Sequence, residues 1–238
     1  MKTKHKIADG VPSSLKRLTS KGERTRTTIL DAAERQFAAR GYDGVSLRQI
    51  MDEAGVQMGQ LQYYFPSKEE VFVGVLDRRI EEVMIVYGRS VEELERLEAA
   101  GDVTLRVIMR AVMAISRAWL SEDDIGRHRY LRVLGLSTMN FNQPEYVRRH
   151  SRVFHPLNNR VAAAIGRLFP DVPEARVLDA YHLIEANLLS LYVNIDSVLA
   201  RRGELRTGEA VERMYDELET FLVGGVERLL RAPSTLGS

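Results

Sequence analysis

The sequence predicts an all-α protein: a small N-terminal three-helix unit followed by a larger helical C-terminal part. Three observations carry this reading. Apolar residues recur at three- and four-residue spacing through every periodic segment. Capping boxes open those segments and glycines close them. No stretch alternates apolar and polar residues as a strand does, and no Asn-Gly or Gly-Asn hairpin signal occurs.

Taken in order, residues 1–22 hold Gly10, Pro12, Ser13, Ser14 and six basic side chains, the composition of a flexible basic arm. Helical periodicity begins near Arg24, where Ile29, Leu30, Ala33, Phe37 and Ala38 form one stripe, and Gly41 closes the helix. Ser46-Leu47-Arg48-Gln49 is a capping box opening a second helix, with Leu47, Ile50, Met51 and Ala54 as its apolar face. Gly55 stops it and Val56 plugs the corner. A third short helix runs from about Gln57 to Tyr64, and Pro66 breaks it. Ser67-Lys68-Glu69-Glu70 then opens one long helix expected to continue to about Glu98. Three short helices with a tight glycine turn between the last two outline a helix-turn-helix unit over residues 23–68.

The remainder, 69–238, reads as helices throughout. Asp102–Leu120 and His128–Met139 are followed by Glu145–Phe169, where Pro156 predicts a kink or a break. Two long helices close the chain, Pro173–Arg202 and Gly208–Arg231. Both carry apolar residues beyond a single stripe, so each can serve the core and a partner.

Composition bounds the function. Hydrophobic residues at 45% and charged residues at 28% allow a folded chain of 238 residues. The absence of cysteine excludes disulfides, thiolate metal sites and cysteine nucleophiles. No stretch approaches the ~20 uninterrupted apolar residues of a membrane span, and the basic N-terminus lacks the apolar region of a secretory signal. A cytoplasmic protein without membrane association is the simplest expectation. Charge is asymmetric: residues 1–68 hold 12 Lys and Arg against 7 Asp and Glu, the rest 22 against 26. A polyanion would therefore meet the front. There is no Gly-rich phosphate loop and no G-x-S-x-G, so the reading is of a non-enzyme needing no cofactor.

Residues 24–70 resemble the DNA-binding domain of the TetR family of transcriptional regulators. The matching stretches are ILDAAERQFAARGYDGVSLRQI, EAGVQMGQLQYYF and PSKEEVF. The resemblance implies a homodimeric regulator, a repressor released by a small-molecule effector, that binds a palindromic double-stranded operator. It also implies a C-terminal domain for ligand binding and for dimerisation through the last two long helices. The sequence departs from the family pattern at Gln62, where tyrosine is usual, and at Gln57, where serine or threonine is frequent.

The third helix divides by spacing. Leu61 and Phe65 share the buried face. Met58, Gly59, Gln60, Gln62 and Tyr63 fall on the outer side, and Tyr64 stands between packing and contact. Gln60 and Gln62 can pair with base edges, Gly59 allows close backbone approach, and Tyr63, Tyr64 and Lys68 suit phosphates. Gln57 caps and Arg48 adds charge. Surface roles alone would equally serve a helical module that binds a protein or ligand without DNA.

Effector residues are sought among large side chains of the middle helices with polar neighbours: Met109, Met113, Trp119, Tyr130, Phe154, Tyr181, His182 and Glu185, in a wider set with Phe141, His150, His155, Asn158, Asn187, Tyr192 and Asn194. Each single one also fits an ordinary core or surface. Asp179, His182 and Glu185 recur every three residues, a spacing more suited to a hydrated stripe or a cross-dimer hydrogen bond than to a metal.

Overall fold

The computed structural model describes residues 20–139, 145 and 152–232. Helix α1 (Ser20–Arg40) starts four residues before the expected point, so the end of the expected arm, Ser20–Gly22, is its first turn. The remainder of the arm, with Phe141 and His150, lies outside the described residues. Helices α2 (Leu47–Ala54) and α3 (Met58–Tyr64) follow, then α4 (Lys68–Asp77), α5 (Ile80–Ala100), α6 (Leu105–Ser121) and α7 (Ile125–Thr138). A 3-10 turn at Arg152–Phe154 leads into α8 (His155–Leu168), α9 (Glu174–Arg201) and α10 (Gly208–Arg231). Among the described residues there is no strand.

Two apolar clusters organise these helices. The first joins Ile29, Phe37, Ile50, Leu61 and Phe65 with Val71, Phe72, Val75 and Leu76 of α4. Phe37, Tyr42 and Phe72 form its aromatic centre, with both edge-to-face pairs at 5.0 Å between centroids. The expected boundary after residue 68 therefore meets a helix whose buried side chains belong with α1–α3. One member of this cluster, Val133, comes from α7. The second cluster gathers α5, α6, α8, α9 and α10, with Tyr130 and Leu131 of α7, around Met109, Trp119, Ile165, Ile184 and Tyr215.

One sequence expectation is corrected here. The single long helix from Ser67 is broken at Arg78 and Arg79. The Arg78 guanidinium turns back onto α1, donating to Asp31 Oδ1 at 2.6 Å and Glu34 Oε2 at 3.2 Å. Arg79 leaves helical geometry at φ −121°, ψ 4°. Glu34 is buried, and burial raises its pKa against the opposing charges of Arg78 and Arg79. Of the kink or break expected at Pro156, the described residues hold the break: α8 begins at His155. Pro156 sits in the first turn of α8, where its missing N–H is one that has no intrahelical partner.

Helix α9 is, by length and mean hydropathy, long and apolar enough to cross a membrane, contrary to expectation. Its buried residues, including Val177, Tyr181, Ile184, Leu188 and Ile195, are part of the second cluster.

Candidate nucleic-acid interface and effector cavity

The turn that presents α3 is fixed by local chemistry. Ser46 N–H donates to Gln49 Oε1 at 2.7 Å and Gln49 N–H donates to Ser46 Oγ at 3.3 Å, closing the capping box. Gly55 holds φ +65°, a left-handed conformation that L side chains rarely adopt, and redirects the chain into α3. Val56 N–H donates to Met51 O at 3.2 Å. Glu53 of α2 accepts from Arg35 and Gln36 of α1, which anchors α2 on α1. These partners hold the Glu53 pKa below its usual value although partial burial opposes them.

Leu61 and Phe65 are buried and anchor α3 on the first cluster. Gly59, Gln60, Gln62 and Tyr63 are exposed; Tyr63 shows 67% of its surface. Met58 is half-buried. Tyr64 is half-buried too, packs on the first cluster and stacks edge-to-face with Tyr63 at 5.1 Å, so packing claims much of its ring. Gln57 begins the helix, but it is Gln60 whose Oε1 accepts the Gln57 N–H, at 3.1 Å. The Gln60 carbonyl thus caps α3 and leaves its amide N–H groups for other partners. A Cβ built on Gly59 meets nothing within 4 Å. Arg48 is exposed on α2. Lys68 is half-buried with Nζ 4.1 Å from the Tyr42 ring centroid. Burial lowers its pKa, with Asp43 opposing.

A cavity of about 230 Å³ opens in the second cluster between α5, α6, α7, α8 and α9. Of the expected effector residues, Phe154, Tyr181 and Glu185 line it, as do Tyr192, His155 and Asn158 of the wider set. Met109, Met113, Trp119 and Tyr130 do not. They are almost wholly buried packing residues, and the Tyr130 hydroxyl donates to Leu76 O at 3.1 Å. His182 is exposed on the opposite side of α9 from the buried stripe. Among the described residues no three His, Asp or Glu side chains gather to hold a metal ion.

The cavity wall also contains residues that the sequence reading missed. Tyr87 of α5 donates from its hydroxyl to Asn158 Oδ1 at 3.0 Å, and burial raises its pKa. Its signal was the α5 stripe Val83, Tyr87, Val91 and Leu94, with one polar-tipped ring among aliphatics. Leu131, Leu134 and Thr138 of α7 complete that side.

Helix α7 connects the cavity to the three-helix unit. Its cavity residues alternate with Tyr130, Arg132 and Val133, which reach the first cluster or its backbone. Arg132 Nε donates to Ala38 O in the last turn of α1 at 2.7 Å, and Arg132 Nη1 donates to Val193 O of α9 at 2.5 Å. The Ala38 carbonyl lies at a helix end, where intrahelical donors run out. At Gly135 the two helices cross closely: an added Cβ would stand 2.9 Å from Val193 Cγ2 and 3.0 Å from Leu189 O.

A short exposed helix set by a glycine turn on a three-helix core, below a helical body with its own cavity, defines the class of helix-turn-helix transcriptional regulators. Comparison with known proteins makes the assignment particular. Residues 29–75 match the model of the tetR family of bacterial regulatory proteins, and residues 110–225 match the tetracyclin repressor-like C-terminal domain. The chain belongs to the tetR family and, as such, is a DNA-binding transcriptional regulator and not an enzyme.

It is 23% identical over 191 residues to the dual regulator CecR of Shigella flexneri, covering 78% of this chain and 83% of that protein. It is 23% identical over 214 residues to the repressor BepR of Brucella suis biovar 1 (strain 1330), covering 89% and 82%. An uncharacterized HTH-type regulator of Lactococcus lactis subsp. lactis, from the lacX 3′ region, is 39% identical over 56 residues; the match covers 24% of this chain and 29% of that relative. Among solved structures, the multidrug binding protein EbrR complexed with malachite green superposes with TM-score 0.53 at 17% identity, covering 87% and 98%. The fatty acid degradation regulator FadR from Bacillus halodurans gives 0.54 at 19%, covering 84% and 95%. At such identities the likeness is one of fold.

Proposed function

We propose that the protein is a cytoplasmic homodimeric repressor whose grip on a palindromic operator is released by a small molecule entering the cavity. The observation that carries the reading is the double membership of α7, whose Leu131 and Leu134 line the cavity while Arg132 and Val133 engage the DNA-binding unit. A ligand that fits one placement of α7 better than another shifts the balance between them. On the DNA side, Gln62 and Tyr63 reach the groove, Gly59 lets the α3 backbone come close, and Arg48 and Lys68 add phosphate attraction. Met58 borders the contact, Gln57 and Gln60 hold the helix start, and Tyr64 supports Tyr63.

Dimerisation follows from what the last two helices leave uncovered. Leu183 is 55% and Phe221 65% exposed, Leu178 is exposed beside them in the chain, and Gly224 and Gly225 follow Phe221 on the outer side of α10. A second copy covering these faces sets two recognition helices on one side of a duplex, as half-sites ~34–36 Å apart require. BepR is named a repressor and EbrR was solved with malachite green; repression and effector binding are carried to this chain by that analogy. Fluorescence anisotropy on duplexes selected from a random pool tests the reading. Specific, salt-sensitive binding that Gln62→Ala and Tyr63→Phe weaken supports it. Binding that neither substitution moves counts against this recognition face.

A further inference from the structure

Two glutamates are buried, and a third, Glu185, is half-buried. Glu34 pairs with Arg78, and Glu219, 2% exposed at its side chain, pairs with Arg106 and Arg110. Glu185 lines the cavity, and among the described residues no arginine or lysine meets it; the cationic groups near it are His182 and His155, both at exposed positions. A carboxylate partly withdrawn from water, with two exposed histidines as its nearest basic side chains, gains from a positive charge that the cavity admits. The same wall carries the rings of Tyr87, Tyr181, Tyr192 and Phe154, and ring faces attract cations. An anion would face both the carboxylate and those rings. A neutral guest would leave Glu185 without a counter-charge.

We propose that the cavity binds a small organic cation, an aromatic ring bearing a quaternary or protonated amine, with Glu185 as its counter-ion. The proposal rests on the reading of this cavity as the effector site. A volume of about 230 Å³ lies below the ~300–1,000 Å³ of sites for drug-sized ligands, which favours a single-ring guest. Burial raises the Glu185 pKa, with His182 and His155 opposing, so an added positive charge beside it would favour its ionised form.

The test is isothermal titration of the full chain with benzyltrimethylammonium and with its neutral isostere neopentylbenzene, in which carbon replaces nitrogen. The cation should bind about tenfold tighter or more, and Glu185→Gln should abolish the difference while retaining isostere binding. Equal or tighter binding of the isostere to the unmodified protein overturns the cation class, and this comparison needs no variant. A preference for the cation that survives in Glu185→Gln overturns the role of Glu185. Binding of both probes that a cavity-filling Leu134→Trp leaves unchanged places their site elsewhere, and removes the cavity reading together with the proposal. Failure of the cation to bind at millimolar concentration overturns the proposal.

Discussion

Gly59→Ala separates the needs of the fold from those of DNA binding. Gly59 is the second residue of α3, and its backbone φ is not in the left-handed region. A methyl group there meets no atom of the protein within 4 Å. Packing therefore gives no reason for glycine, and replacing it should stabilise the helix. Mid-helix gains are ~0.5–1 kcal/mol; the first-turn position argues for the lower end, about 0.5 kcal/mol, or a melting temperature higher by ~1–2 °C. If the α3 backbone approaches DNA as proposed, the same methyl overpacks the interface. Overpacking costs ~1–3 kcal/mol, an affinity loss of about 5- to 150-fold. Circular dichroism melts and anisotropy on a selected operator measure the two effects in one preparation. A higher melting temperature with unchanged operator affinity would refute the close approach. A lower melting temperature would refute the open surroundings.

Three further outcomes follow from the geometry. Gly135→Ala, forced against Val193 and Leu189 O, should destabilise by ~1–3 kcal/mol and lower the melting temperature accordingly. Phe221→Arg places a charge on the exposed face of α10 and should shift light-scattering mass from two chains to one, with loss of operator binding but retention of helical signal. Glu185→Gln should raise the melting temperature at pH 7. The folded pKa of Glu185 lies above its ordinary 4.5, so the native state holds its proton more tightly than the unfolded chain. Its contribution is complete below pH 4.5 and lost as pH rises through the folded value. The advantage of the variant should therefore shrink as melts approach pH 4.

What the sequence disclosed was whatever is decided locally. The Ser46 capping box, the turn at Gly55 and the burial of Leu61 and Phe65 each depend on residues a few positions apart, and all stand as read. The break between α4 and α5 does not have that character. Arg78 interrupts the helix while held by Asp31 and Glu34, 47 and 44 residues away, and periodicity carries no trace of such partners. Gln60 was read as a base contact, yet its carbonyl is spent on the Gln57 N–H three residues back, a capping pair that its spacing could have announced. In the cavity, the stripe of α6 could not distinguish a wall from a core. Met109, Met113 and Trp119 are packing, whereas Val112 and Ile115 one face over line the space. Phe154, Tyr181 and Glu185 were found by seeking large side chains of the middle helices with polar residues among them. Tyr87 was missed because its partner Asn158 lies 71 residues on.

In the proposed mechanism α7 sets the position of the DNA-binding unit relative to the rest of the chain. The most direct measurement is the affinity of Arg132→Met for a duplex with two half-sites and for one with a single half-site. Arg132 ties the end of α1 to α9 and does not lie in the recognition helix. The single-site affinity should stay within about twofold while the two-site affinity falls about tenfold or more, because only the two-site complex depends on the placement of both units. An unchanged ratio of the two affinities, with the helical signal and dimer mass intact, would contradict this mechanism.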